Sequence, residues 1–143
     1  MRRITGIAVL VIASLAALLG QRVLFGQSCD DDEAMVKDYQ KSLAELVATV
    51  KKESLEEFER AYHQKSCMTK LTLCLSTVNG LIDCLDKASQ DVTATKEQVD
   101  AYKAKRETYA KLKGKIEQGR SALKSAETPK GAKASIEKFD LSD

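Results

Sequence analysis

Apolar residues return every three or four positions along most of this chain, and that spacing sets the fold class. Val36, Tyr39, Leu43, Leu46, Val47, Val50, Leu55, Phe58 and Tyr62 fall on one stripe of a helix. The step from Val50 to Leu55 slips the phase, and Ser54-Leu55-Glu56-Glu57 has the form of a capping box there. Because no glycine or proline supports a turn, a continuous helix is expected across the slip. A second stripe runs through Cys67, Leu71, Cys74, Leu75, Val78, Leu81, Ile82, Leu85 and Ala88. It keeps helical spacing but contains Asn79-Gly80, a helix-stop and turn pair.

Ser89 to Thr95 is polar and β-branched without apolar periodicity, and reads as a loop. Thr95-Lys96-Glu97-Gln98 repeats the capping-box form and opens a helix with Val99, Tyr102, Tyr109, Leu112, Ile116, Leu123 and Ala126 on one side. From Tyr109 to Ala126 the spacing is a heptad, with Gly119 as its weak link. Thr128-Pro129-Lys130-Gly131 ends that helix. The tail, residues 128–143, is expected to be mostly flexible, with one loose turn around Ile136 and Phe139. The predicted class is all-α: an elongated helical hairpin or small up-down bundle with coiled-coil-like packing. An isolated helix would leave its stripe wet, so the arms should pack on each other or on another copy.

The first 28 residues follow a different pattern. Arg2-Arg3 precedes a short apolar run, Ile7 to Leu19, and no charge follows until Arg22. A basic start and a short apolar core have the form of an export signal. Gly26-Gln27-Ser28 sets small residues at the third and first positions before a cut at Cys29. A second reading keeps residues 4–25 as a membrane anchor with Arg22 snorkelling to the interface. A third lipidates Cys29, although Gln27 and Gly26 do not suit a lipobox. All three place residues 29 onward, with the helical domain at 29–127, outside the cytoplasm: secreted or periplasmic, or held at the membrane if the leader is retained.

Composition supports the helical reading. Trp is absent, Pro129 is the one proline, and Ala, Lys, Glu and Leu dominate. The formal charge of +2 owes its sign to the leader's arginines. Residues 29–90 hold eight Lys/Arg against twelve Asp/Glu, and residues 91–143 hold twelve against nine. An acidic first half and a basic second half would attract each other if folded side by side. The basic half is too interleaved with acids to argue for nucleic acid.

Four cysteines, Cys29, Cys67, Cys74 and Cys84, suggest two disulfides in an oxidising compartment. Residues seven apart on a helix rise ~10.5 Å, beyond the ~4.4–6.8 Å between bridged Cα atoms, so Cys67 and Cys74 do not pair within one helix. A hairpin at Asn79-Gly80 would join Cys74 to Cys84 and leave Cys29 for Cys67, the preferred set. Cys29–Cys74 with Cys67–Cys84 is the second choice. If the helix runs unbroken through Gly80, internal pairing largely fails and the thiols are buried or bridge two copies.

His63, Cys67, Cys74 and Cys84 form a zinc-like set by residue type. They lack short Cys-x-x-Cys clips, and no metal or other cofactor is expected. With a single histidine, no serine elbow and no phosphate loop, no catalytic role is assigned. The expected function is protein–protein contact or self-association by a stapled helical body. One alternative is a carrier of an apolar ligand, with Phe58, Tyr62, Leu71, Leu75 and Val78 around a pocket. The other is an anchored coiled-coil spacer of the envelope.

Overall fold

The computed structural model describes the backbone of residues 7–142 and the side chains of residues 29–142. The signal and anchor readings of the leader therefore lie outside the described side chains, whereas Cys29, the residue of the lipidation reading, is described, and its sulfur is bonded to Cys84 rather than free for a lipid. Among the described residues, no helix is long and apolar enough to cross a membrane.

The chain forms five helices, α1 (Ile7–Lys52), α2 (Leu55–Arg60), α3 (His63–Ser89), α4 (Lys96–Lys124) and α5 (Pro129–Glu137), and no strand is present among the described residues. The all-α, up-down architecture read from the stripes is the one observed. α3 is the central element and packs on both α1 and α4. Its stripe, Cys67, Leu71, Cys74, Val78, Leu81 and Leu85, is buried along its whole length. Val36, Leu43, Val47 and Val50 of α1 meet it from one side, and Tyr109, Leu112, Ile116 and Leu123 of α4 complete the core.

The chain breaks where the phase slips. Ser54 is the N-cap of α2: its hydroxyl accepts from the Glu57 amide at 3.2 Å, and its own amide donates to the Glu57 carboxylate at 2.8 Å. The expected continuous helix is therefore wrong. A reciprocal cap supplies partners for two amides and ends one helix beside the next without glycine or proline. Tyr62 then turns the chain into α3 with φ 54° and ψ 33°, the one left-handed non-glycine residue among those described. The Thr95 box opens α4 as expected, with the Gln98 amide donating to its hydroxyl at 3.2 Å.

Asn79-Gly80 does not turn. α3 runs straight through the pair, and a Cβ on Gly80 would meet only Asp32 Oδ2, at 3.7 Å. A glycine inside a helix costs about 1 kcal/mol. A turn there would pull Val78 and Leu81, both fully buried, out of one continuous seam, at several kcal/mol.

The carboxyl end also differs from expectation. Thr128 caps α5 by accepting from the Gly131 amide at 3.1 Å, Pro129 takes the first turn, and Ala132 and Ile136 are buried. α5 touches all four other helices. Phe139 then lies over Gly119, where a Cβ would come within 3.1 Å of its ring. The glycine that weakened the heptad is the seat of an aromatic ring. Gln40 donates to the Leu141 carbonyl at 2.7 Å, tying the last residues back to α1.

Candidate functional site

Cys29 stands where the described side chains of α1 begin, and Cys84 near the carboxyl end of α3. The antiparallel packing brings their Cα atoms to 5.7 Å, and they form the one disulfide among the described residues. Neither expected pairing set occurs. Both needed α3 to bend at Gly80 or Cys67 to leave its stripe. The unbroken helix instead keeps Cys67 and Cys74 as free thiols, fully buried at successive core positions. Burial pushes the Cys67 thiol up to about 12, with the Lys70 ammonium acting weakly against it, and pushes Cys74 up to about 11. Thiols so far from ionisation are poor nucleophiles and poor metal ligands.

His63 lies elsewhere. Its Nε2 sits 2.8 Å from Glu53 Oε2, so it ties the start of α3 to the end of α1, and its ring centroid is 6.0 Å from that of Phe58. Cys84 is engaged with Cys29, and the zinc-like set is not brought together. Among the described residues no three His, Cys, Asp or Glu side chains converge on a common point.

The charge asymmetry between the halves finds a structural counterpart. Lys105 of α4 donates to Glu33 of α1 at 2.7 Å, and Arg106 donates to Asp86 of α3 at 2.8 Å. Glu33 also meets Lys37 at 3.1 Å. The Lys105 ammonium, with smaller contributions from Lys37 and the Tyr109 hydroxyl acting against desolvation, holds the Glu33 carboxyl down at about 2, and Lys105 is raised in turn. These pairs stand near the disulfide end. Toward the other end, α5 lies against both α1 and α4.

At that far end an open cleft of about 460 Å³ lies between α2, the start of α3, the end of α4 and the start of α5. Phe58 and Leu123 form its buried wall, Met68 is half-buried, and Tyr62 stands at the rim with 75% of its surface exposed. Of the five residues drawn as a carrier's pocket, Phe58 and Tyr62 line this cleft. Leu71 and Val78 are sealed in the core, and Leu75 packs half-buried against it. Lys65 and Lys124, which also line the cleft, have no signature in the sequence, because exposed lysines at helix ends carry no periodic signal.

Set against protein-family models, curated proteins and solved structures, the chain gives no match.

Proposed function

We propose that this protein is an exported, disulfide-stapled helical module that works by protein–protein contact, or as a structural element, and performs no catalysis. The observation that carries the reading is the Cys29–Cys84 bridge, which closes the α1–α3 pair at the end where the chain enters it. Such a cross-link persists in oxidising compartments and is rare in reducing ones. That supports a secreted or periplasmic setting for the helical domain.

The side-chain chemistry is in keeping with this. The single histidine is engaged with Glu53, and the free thiols are buried and held protonated. Met35 and Leu73 stand exposed on α1 and α3, and Val92 on the loop between α3 and α4; these offer apolar contact points on a charged surface.

Two measurements test the reading. Cell fractionation with non-reducing mass spectrometry should find the protein outside the cytoplasm with Cys29 joined to Cys84. A photo-crosslinking residue at Leu73 or Met35 should yield a discrete protein adduct in cells, whereas the same residue at Gly114, where an added Cβ meets nothing within 4 Å, should give less. A reduced cytoplasmic protein, or no adduct at either position, would end the proposal.

A further inference from the structure

The far-end cleft has the two features of a small-ligand site, an apolar lining and a few charged groups. Its wall is apolar, from Phe58, Met68, Leu123 and Pro129. Its rim is basic, with Lys65 and Lys124 against a single carboxylate, Glu59. Neither lysine has an ion-pair partner among the described residues. The start of α3 carries no acid, and of the glutamates of α2 only Glu59 lines the cleft.

The start of α3 adds to the positive field. Tyr62 is its N-cap in a left-handed conformation and supplies no side-chain cap, so the first-turn amides of a 27-residue helix are left without one. Unpaired amides and the macrodipole favour an anion there, and Gln64 and Lys65 of that turn line the cleft. The volume falls within the roughly 300–1,000 Å³ of small-molecule sites.

We propose that this cleft binds a small anionic amphiphile of the medium-chain carboxylate class. The head group sits at the uncapped start of α3 between Lys65 and Lys124, and the alkyl chain lies along Phe58, Met68, Leu123 and Pro129. A cationic amphiphile would meet two lysines at the rim, and a neutral one would forgo the charge complementarity. The site is independent of the protein-contact reading and stands or falls separately from it.

The test is calorimetric titration of dodecanoate, below its micelle concentration, into the purified oxidised protein. One molecule should bind per chain. Lys65→Gln with Lys124→Gln should weaken binding at least tenfold, leaving helix content and thermal midpoint unchanged because both side chains are exposed. Thr69→Trp, which fills the cleft from an exposed lining position, should abolish binding. Dodecyltrimethylammonium should bind at least tenfold more weakly than dodecanoate to the unaltered protein. Any of three results overturns the proposal: no saturable uptake of dodecanoate, uptake indifferent to both sets of substitutions, or a chain dimer that occupies the cleft and excludes the ligand.

Discussion

Reducing the Cys29–Cys84 bridge should lower the stability of the bundle by about 4 kcal/mol, a figure that follows from the 55-residue separation of the two cysteines and the loop-closure entropy the cross-link removes from the unfolded chain. Reduction leaves the same two side chains in place, so the change isolates the cross-link from packing. The native geometry asks for no backbone movement, since the Cα atoms stand 5.7 Å apart, inside the ordinary range. In urea, with a slope of about 1–3 kcal/mol per molar, the midpoint should fall by roughly 1–4 M when circular dichroism at the helix band is followed with and without a phosphine reductant. The slope should rise, because the reduced unfolded chain exposes more surface. Peptide mapping under non-reducing conditions should join the fragment of Cys29 to that of Cys84. Coincident midpoints, or a map linking Cys67 or Cys74, would refute the reasoning.

Cys67 and Cys74 should resist alkylation in the native protein and react only on unfolding. Their folded values, about 12 and about 11, lie above the ordinary 9.0, so the stability they hold is complete below pH 9 and is lost as pH rises toward 11 for Cys74 and toward 12 for Cys67, at up to about 1.4 kcal/mol per pH unit per thiol. Replacing both by Ala should flatten that alkaline decline, and an unchanged slope would contradict it. Glu33 is shifted the other way, so its contribution is present above 4.5 and fades as pH falls toward 2. Because Lys105 is half exposed, screening limits the pair to about 1 kcal/mol, and Lys105→Ala should move the Glu33 carboxyl titration, read by NMR, back toward 4.5. Ser54→Ala should lower stability by about 1 kcal/mol through the lost cap, measurable as a drop in thermal midpoint. Gly119→Leu should cost about 1–3 kcal/mol by overpacking against Phe139 and open the chain after Glu137 to proteases, whereas an unaltered digestion pattern would show that the ring is not held there.

The stripes were legible because burial on a helix repeats every three or four residues, and the structure buries Val36, Leu43, Leu71, Val78, Leu112 and Ile116 as that spacing demands. Local punctuation was read less well. Ser54-Leu55-Glu56-Glu57 was visible as a cap but subordinated to the absence of glycine, although the two hydrogen bonds it offers are enough to end a helix. Asn79-Gly80 has the form of a turn, but the heptad from Cys67 to Leu85 passes through it unbroken, and burying that seam outweighs the local preference of the pair. The position of the turn decides the bridge. With the chain reversing between Ser54 and Tyr62, α1 and α3 run side by side and Cys29 falls opposite Cys84. Stepping back seven residues from Val36 sets Cys29 on the same seam. The cleft had no comparable signal, since it is made where four helix ends meet, and no single segment records that meeting.

The bridge has a mechanical side. Tension applied between the two ends of the polypeptide enters at Cys29 and crosses the sulfur–sulfur bond to Cys84, bypassing everything between them. The bypassed loop, 55 residues in sequence separation, corresponds to roughly 180–200 Å of extended chain that is withheld from stretching. Whatever holds the amino end of the molecule thus pulls first on the last turns of α3 and on α4, while the α1–α3 seam stays slack until the bond is broken.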